Sequence, residues 1–338
     1  MTHPLVIGHR GAPGYRPEHS RSSYELALAQ GVDAVEPDVV VTRDGVLVVR
    51  HENEISGTTD VAQRREFADR RTTKTIDGVA WTGWFVEDFT WDELSTIRCR
   101  ERLPDLRPDS AGYDDGEPVL RLRDVLDLVR ERGGGRVGVV LEIKHATYFA
   151  SLGWDVASLL VAELAAAGWT EGAPPLTVES FEQTVLTEVR ERGLAAASVL
   201  LLDASGKPAD LVARDGSAAP TYASFAEPEG LDRLVGAVDG ISVHKRMLLA
   251  SNVFEHAASS VGPALNRPRV VVDAHARGLS VFTWTCRPEN AFLTRRFRTG
   301  GGRAARGDWR AEWALLRDAG VDGVFVDHPD LGVEVFRA

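Results

Sequence analysis

The sequence predicts a single α/β domain of the (β/α)8, or TIM-barrel, class. Short β-branched runs alternate with helical patterns along most of the chain, which is typical of repeated βα units on a parallel sheet. Eight such pairs can be counted, and eight is the number that closes this barrel. Because such barrels often use about 250 residues or more as one unit, a length of 338 residues does not require a second domain.

Each predicted element follows from a local pattern. Strands are short runs such as Leu5-Val6-Ile7, and helices show apolar residues at helical spacing. Ser20 can cap the first helix, and glycines such as Gly31 and Gly320 follow the ends of others. The predicted strands lie near residues 5–9, 34–39, 138–144, 176–180, 198–202, 239–243, 279–284 and 323–327. The predicted helices lie near residues 20–30, 121–132, 155–167, 182–192, 208–213, 229–235, 267–277 and 308–318.

Residues 40–118 interrupt this rhythm. The segment is much longer than an ordinary βα loop and has little helical periodicity outside TWDELSTI. Trp81, Trp84 and Trp91 predict a small core packed against the rim of the barrel. Within one domain spanning residues 1–338, we therefore expect an inserted subdomain at the mouth of the barrel that limits the size of the substrate.

Composition and charge exclude several classes of function. No apolar run reaches membrane-spanning length, so no stable membrane insertion is expected. A formal net charge of −11 argues against a nucleic-acid partner. Cys99 and Cys286 lack the spacing of a zinc or redox motif. Residues 1–4 lead directly into the first strand without a secretion-signal pattern, which favours a cytoplasmic location, and the oligomeric state is left open.

The first strand ends in His9-Arg10-Gly11 instead of ordinary turn residues. Catalytic groups of (β/α)8 barrels gather at the carboxyl ends of the strands. His9 therefore lies where function is expected, with a proton carrier beside the permanent positive charge of Arg10.

Glu36 and Asp38 are two residues apart on the second strand, so their side chains share a face. Two carboxylates so close raise each other's pKa unless a cation lies between them, which predicts either a shared proton or a metal ion. The alternative is a pair of exposed carboxylates on an edge strand, but Val35 and Val39 indicate that the opposite face is buried.

A hairpin follows, in which Asp44-Gly45 is a typical two-residue turn. With these residues as the turn, Arg43 pairs with Val46, and counting outward places Asp38 opposite His51. A second histidine is thus predicted to return to the carboxylates, unless a bulge changes the register.

Glu142 and Lys144 repeat the two-residue spacing at the end of another strand, either as a mutual ion pair or as part of the same site.

Glu36, Asp38 and Glu142 form an oxygen ligand set suited to Mg²⁺ or Ca²⁺, whereas Arg10 and Lys144 are donors for a phosphate. His9 and His51 remain for proton transfer. Zinc ligation by these histidines is the less favoured alternative. This combination predicts cleavage of a phosphodiester.

The segments GHRGAPGYRPEHS, EPDVVVTRDGVLVVRHE, LEIK, ESF and GVDGVFVDHPD resemble, in this order, the motifs of the glycerophosphodiester phosphodiesterase family. The resemblance covers nearly the whole chain, and residues 40–118 resemble the insertion after the second strand in the longer bacterial members. It implies a (β/α)8 barrel that hydrolyses glycerophosphodiesters, such as glycerophosphocholine and glycerophosphoethanolamine, to glycerol 3-phosphate and an alcohol.

The resemblance also implies roles for individual residues. His9 and His51 match the acid/base pair, and Glu36, Asp38 and Glu142 match the ligands of the divalent cation. Arg10 and Lys144 match residues that bind the phosphate. Further substrate-binding positions are carried over to Glu18, Phe181 and Trp284.

Two positions depart from the family pattern. His19-Ser20 replaces the usual Asn-Thr, and Glu52 after His51 replaces the usual Asp, so that it could contact His51 or the glycerol. Two rivals remain open. Phospholipase D-like and sphingomyelinase-type barrels use similar residues on membrane lipids, but no basic amphipathic helix is visible here. A barrel that only binds phosphorylated ligands would not need two proton carriers.

Overall fold

The computed structural model describes residues 3–169, 174–249 and 267–338. The strands in these ranges are β1 (Leu5–His9), β2 (Ala34–Glu36), β3 (Asp38–Val41), β4 (Leu47–Val49), β5 (Thr72–Ile76), β6 (Val79–Gly83), β7 (Gly138–Ile143), β8 (Leu176–Ser180), β9 (Ala197–Leu202), β10 (Gly240–His244), β11 (Ser280–Cys286) and β12 (Gly323–Val326). Each predicted barrel strand has a counterpart among them.

The strands close into a parallel barrel. The order within the main sheet is β2-β1-β12-β11-β10-β9-β8-β7-β3-β4, and β2 also pairs with β7. The second predicted strand is divided into β2 and β3 by Pro37, which has no N–H to donate to a ladder. With β2 and β3 counted as one, eight strands form the barrel, and the predicted fold class is confirmed.

Helices connect the strands around the outside. They are α1 (Arg21–Ala29), α2 (Trp91–Leu94), α3 (Pro108–Ala111), α4 (Leu122–Arg132), α5 (Ala146–Ser151), α6 (Val156–Ala166), α7 (Gln183–Glu191), α8 (Ala209–Asp215), α9 (Tyr222–Phe225), α10 (Pro228–Leu234), α11 (Lys245–Leu249), α12 (Arg269–His275), α13 (Trp309–Asp318) and α14 (Pro329–Phe336). Ser20 caps α1 as predicted, since its side chain accepts from the N–H of Ser23. Among the described helices, none is long and apolar enough to cross a bilayer.

The hairpin of β3 and β4 has a different register from the predicted one. Val40 pairs with Val48, and the N–H of Arg50 donates to the carbonyl of Asp38, so Asp38 lies opposite Arg50 and not His51. The turn contains three residues because Gly45 adopts a left-handed conformation (φ +81°). The Thr42 hydroxyl also donates to Asp44 and accepts from the N–H of Val46, which fixes the longer turn.

Between β4 and α4, the chain contains short 3₁₀ turns, the β5–β6 hairpin and the short helices α2 and α3. Phe67, Phe85 and Phe89 are buried there. The predicted tryptophan core is only partly correct, because Trp84 is buried but the exposed fraction of Trp81 is 43%.

A small apolar cluster fills the interior of the barrel. It consists of Ile7, Ala34, Val140, Val199, Phe282 and Phe325. Since side chains alternate along a strand, the residue two positions after each of these also points inward, closer to the carboxyl end. The polar residues of the site therefore lie directly above this cluster.

Candidate active site

Four strands place the side chains of the site by the same two-residue step. His9 follows Ile7, Glu36 follows Ala34, Glu142 follows Val140, and Trp284 follows Phe282. These four residues line one cavity of about 280 Å³, which we call the first cavity. Alternation along the strands thus explains why residues far apart in sequence meet at one end of the barrel.

Most of the predicted site residues lie around this cavity. Those that line it are His9, Arg10, Glu36, His51, Glu142, Phe181 and Trp284. Lys144 lines a second, adjacent cavity of about 650 Å³ together with His51 and Glu142. Glu18 and Asp38 line neither cavity. Both are buried and contact cationic side chains.

Three buried carboxylates form the acidic part of the first cavity. Glu36, Glu142 and Glu179 each offer an oxygen, and these oxygens lie within 4.8 Å of one another. Burial raises the pKa of all three, to about 8 for Glu142, where the Lys144 ammonium opposes the effect. Glu179 Oε2 is buried and has no hydrogen-bond partner among the described residues. A hard divalent cation, which prefers oxygen ligands, fits this set.

Asp38, the remaining predicted metal ligand, contacts a histidine and two cations. One oxygen lies 2.9 Å from His19 Nε2 and 3.2 Å from Arg10 Nε, and the other is 3.7 Å from Lys144 Nζ. Although burial alone would raise it, Lys144, His51 and Arg10 hold the pKa of Asp38 well below its usual value. Metal ligation by Asp38 stays a prediction.

Arg10 connects β1 to the acidic residues. Its backbone is left-handed (φ 55°), and its N–H donates to the Glu36 carboxylate at 2.8 Å. The guanidinium donates to Glu18 at 3.0 Å, and Glu18 also binds Arg102 through both of its oxygens. Although burial alone would raise it, Arg102 and Arg10 hold the pKa of Glu18 well below its usual value. Glu18 therefore positions guanidinium groups in this structure.

Lys144 forms an ion pair with Glu142, with 2.7 Å between Nζ and Oε1. Its ammonium also lies 5.6 Å from the centre of the Phe181 ring. The mutual ion pair is therefore present, and both residues line the second cavity, whereas their role in the site stays a prediction.

His9 is oriented by a carboxylate from the last barrel strand. Its Nδ1 lies 2.7 Å from Asp327 Oδ1, so Asp327 can hold the proton on Nδ1 and leave Nε2 for the cavity. Burial and the adjacent Arg10 lower the pKa of His9 to about 4, although Asp327 opposes the shift. Asp327 also accepts from Arg107 at 2.6 Å and from Arg287 at 2.7 Å.

His51 is likewise bound to a carboxylate. Its Nδ1 lies 2.5 Å from Glu52 Oε1, and both oxygens of Glu52 accept from Arg102. Burial, Arg10 and Lys144 lower the pKa of His51 to about 3. Without a bound anion, both imidazoles are therefore neutral near pH 7.

Aromatic side chains form one wall. The rings of Phe181 and Trp284 meet edge to face with centroids 5.7 Å apart, and Trp284 Nε1 donates to the carbonyl of Ser242 at 3.2 Å. Both residues line the first and the second cavity. Phe181 and Trp284 therefore lie where the first and second cavities meet, and a substrate in either cavity could contact them.

Sequence reasoning missed several residues of this site, for different reasons. Glu179 pairs in register with Glu142 near the carboxyl end of β8, so the two-residue step could have found it. The same step from Phe325 leads to Asp327. Nothing in the local pattern around Arg102 or Arg107 indicates that these side chains reach the barrel.

The arrangement combines three chemical capacities. Two neutral histidines, each oriented by a carboxylate, can exchange protons with a substrate. Guanidinium groups can bind phosphate oxygens, and the carboxylates can hold a divalent cation whose positive charge balances that of a phosphate. A hydrolytic reaction at a phosphate ester uses all three.

Comparison with known proteins agrees with this chemistry. The model of the glycerophosphoryl diester phosphodiesterase family matches residues 9–331. The glycerophosphodiester phosphodiesterase GDPD6 of Arabidopsis thaliana is 28% identical, with 96% of this chain and 83% of the relative covered. A glycerophosphodiester phosphodiesterase of Treponema pallidum is 25% identical over 98% of this chain and 91% of its own. The solved structure of an Oleispira antarctica phosphodiesterase in complex with the product sn-glycerol-3-phosphate has a similar fold, with a TM-score of 0.61, 20% identity and coverage of 99% and 98% of the two chains.

Proposed function

Because this chain belongs to the glycerophosphoryl diester phosphodiesterase family and is therefore a phosphoric diester hydrolase, we propose that it cleaves glycerophosphodiesters such as glycerophosphocholine and glycerophosphoethanolamine. The products are glycerol 3-phosphate and an alcohol. The bond between phosphorus and the alcohol oxygen breaks, and a new bond to phosphorus forms from the oxygen of the nucleophile.

The observation that carries this proposal is the pair of carboxylate-bound histidines around one cavity. His9 is held by Asp327 and His51 by Glu52, and Arg10 and three carboxylates line the same cavity as the two rings. A protein that only bound phosphorylated ligands would need the positive charges but no oriented proton carriers.

The two histidines divide the proton transfers. One accepts a proton at Nε2 from the nucleophile, which is either water or the 2-hydroxyl of the glycerol, and the other donates a proton to the departing alkoxide. With the 2-hydroxyl as nucleophile, a cyclic phosphodiester forms first, and water opens it in a second step. A bound phosphate anion raises the pKa of nearby histidines, so that the acid gains its proton when the substrate binds.

Glu36 and Glu142 would hold the divalent cation, Mg²⁺ or Ca²⁺, together with Asp38 as the family pattern implies or Glu179 as the oxygen positions favour. The cation would supply positive charge next to the phosphate. Arg10 and Lys144 would add hydrogen-bond donors to the phosphate oxygens, while Phe181 and Trp284 would wall the pocket. Glu18 would act by fixing Arg10.

Product analysis tests the proposal. The purified protein should release glycerol 3-phosphate and choline in equal amounts from glycerophosphocholine when Mg²⁺ or Ca²⁺ is present. Exhaustive chelation should stop the reaction, and the variant Glu142→Gln should be inactive. Glu131→Gln, which changes an exposed carboxylate of α4, is the matched control and should be fully active. Full activity after chelation would contradict metal dependence, whereas no cleavage with either cation would contradict the substrate.

A further inference from the structure

The second cavity extends from the reaction centre, away from the guanidinium groups. It shares His51, Glu142, Phe181 and Trp284 with the first cavity. A phosphodiester has two arms on either side of one phosphorus atom. Since the shared residues include a proton carrier and a carboxylate of the reaction centre, each cavity can receive one arm.

The aromatic content of the second cavity is high. Tyr148, Phe181, Tyr222 and Trp284 line it. Phe181 lies at the centre of this group, with its ring centroid 5.6 Å from that of Tyr222 and 5.7 Å from that of Trp284. Aromatic faces attract cations, and groups of them bind methylated ammonium ions.

The ionic groups of the second cavity are mainly acidic. Asp77, Glu182 and Asp203 line it in addition to Glu142, whose charge is matched by Lys144. Lys207 also lines the cavity, but its ammonium donates to the carbonyl of Ser217 at 2.6 Å. Burial raises the pKa of Glu182 to about 7, and Asp77 Oδ2 lies 2.6 Å from His145 Nδ1. Asp203, which accepts from the N–H of Ala204, is therefore the carboxylate of this wall most available to a cation.

The first cavity differs in its basic side chains, which lie beside the three carboxylates of the proposed cation site. Arg10, Lys245, Arg246 and Arg287 line it, and none of these is among the residues lining the second cavity within the described ranges. An anionic phosphoglycerol arm fits the first cavity. A cationic arm fits the acidic and aromatic second cavity.

We propose that the second cavity is the binding site for the leaving alcohol and that it selects alcohols carrying an amine or a quaternary ammonium group. This inference rests on the proposed hydrolysis of glycerophosphodiesters and specifies which of them are preferred. At about 650 Å³, the cavity has room for a methylated ammonium group and for the chain that links it to the phosphate.

A comparison of two diesters tests the inference. The ratio of kcat/KM for glycerophosphocholine to kcat/KM for glycerophosphoglycerol, whose alcohol is neutral, should favour choline in the native protein. In Asp203→Asn, the ratio should fall about threefold, as expected for one partly exposed ionic contact. The amide keeps the acceptor that binds the N–H of Ala204. Burial raises the pKa of Glu182 to about 7, so Glu182→Gln, assayed above that pH where the carboxylate is charged, provides a second variant with the same expected direction.

Asp215→Asn is the matched control. Asp215 is paired with Arg214 at the end of α8 and does not line the second cavity, so this variant should keep the native ratio. Free choline should also inhibit competitively, and inhibition should weaken in Asp203→Asn.

The outcomes separate this inference from the function on which it rests. If the native protein hydrolyses neither diester, the proposed function itself fails. If it hydrolyses both but prefers the neutral alcohol, or if Asp203→Asn and Glu182→Gln both keep the native ratio, hydrolysis stands and the ammonium site is wrong.

Discussion

His9 and His51 show how much the surroundings of a side chain decide its chemistry. In both histidines, Nδ1 is hydrogen-bonded to a carboxylate. Burial and nearby cations nevertheless lower the pKa of His9 to about 4 and that of His51 to about 3. The carboxylates therefore orient the rings without charging them. A substrate anion is needed to raise the pKa of the ring that acts as the acid.

Replacing each histidine with alanine separates their tasks. His9→Ala and His51→Ala should each lower kcat by about 10²–10⁴-fold because proton transfer is lost. With a p-nitrophenyl phosphodiester, whose leaving group hardly needs a proton, the variant that lacks the acid should recover much of its rate. The variant that lacks the base should not recover.

Thermal unfolding with added cation is the control for this experiment, and both variants should keep the metal-dependent stabilisation. Loss of metal binding together with activity would favour the zinc-type alternative. If both variants remain equally inactive on the activated substrate while still binding metal, the division of proton transfer is wrong.

His328 predicts how the free energy of unfolding depends on pH, separately from catalysis. Burial lowers its pKa to about 4, and the ring packs edge to face on Tyr15. The unfolded chain gains a proton below its ordinary pKa of about 6.5, but the native state does not until about pH 4. This histidine therefore lowers the free energy of unfolding as pH falls through that window, by up to about 1.4 kcal/mol per pH unit.

His328→Phe keeps a packed ring and cannot titrate. Its free energy of unfolding should fall less steeply than that of the native protein between pH 6.5 and 4, as measured by denaturant titration at several pH values. Parallel curves for the two proteins would contradict the assignment of a neutral buried imidazole.

At the level of elements, regular periodicity was a reliable guide and turn geometry was not. The two-residue alternation located β1 and β7 and the residues that they place in the cavity. The β3–β4 register was off by one because hydrogen bonds of the Thr42 side chain and a left-handed Gly45 favour a three-residue turn. His51 nevertheless reaches the cavity, because the chain bends after β4 ends at Val49.

The β5–β6 hairpin can be tested as the part of residues 40–118 that restricts the substrate. Asp77 and Gly78 at its turn line the second cavity, and Asp77 Oδ2 lies 2.6 Å from His145 Nδ1. Because Thr72 and Gly83 are cross-strand partners, two glycines can replace residues 73–82. The shortened protein should hydrolyse bulky alcohol esters better relative to small ones.

This short deletion is preferable to removal of the whole segment. A deletion of residues 60–117 would also remove Arg102 and Arg107, which bind Glu18 and Asp327. The hairpin buries Ile76, and its Lys74 binds Glu87 and Asp88, so its loss should cost about 2–3 kcal/mol of stability. Unchanged kcat/KM values for both large and small diesters would show that the hairpin does not limit the substrate.

Across the whole molecule, the sequence predicted the barrel and seven of the sixteen residues that line the first cavity, but not the contacts that span the chain. The Asp327–His9 contact joins residues 318 positions apart, and it exists only because β12 pairs with β1. Arg102 reaches Glu18 from a loop without regular structure. Local patterns determine where a strand ends, whereas such pairs depend on how the barrel closes.

The stability of the entire fold should report on the metal site. Without a cation, three buried carboxylates whose oxygens lie within 4.8 Å of one another either hold protons or repel one another. Binding of Mg²⁺ or Ca²⁺ should therefore raise the melting temperature. At a cation concentration about 100-fold above Kd, the gain in unfolding free energy is about 2.7 kcal/mol. Glu36→Gln and Glu142→Gln should abolish this gain.

The stabilisation by metal should also depend on pH. Because burial raises the pKa of Glu142 to about 8, protons compete with the cation, and the gain in unfolding free energy should shrink as pH falls below that value.

Asp38→Asn and Glu179→Gln then identify the third ligand. Asp38 Oδ1 and Glu179 Oε2 both lack a hydrogen-bond partner among the described residues. Asp38 is surrounded by His19, Arg10 and Lys144, whereas Glu179 places an oxygen within 4.8 Å of those of Glu36 and Glu142, so Glu179→Gln should weaken the metal-dependent gain more than Asp38→Asn does. Loss of the gain only in Asp38→Asn would instead support the ligand set that the family pattern implies. If the native melting temperature does not respond to either cation, the acidic cluster is a proton-sharing group and the metal assignment fails.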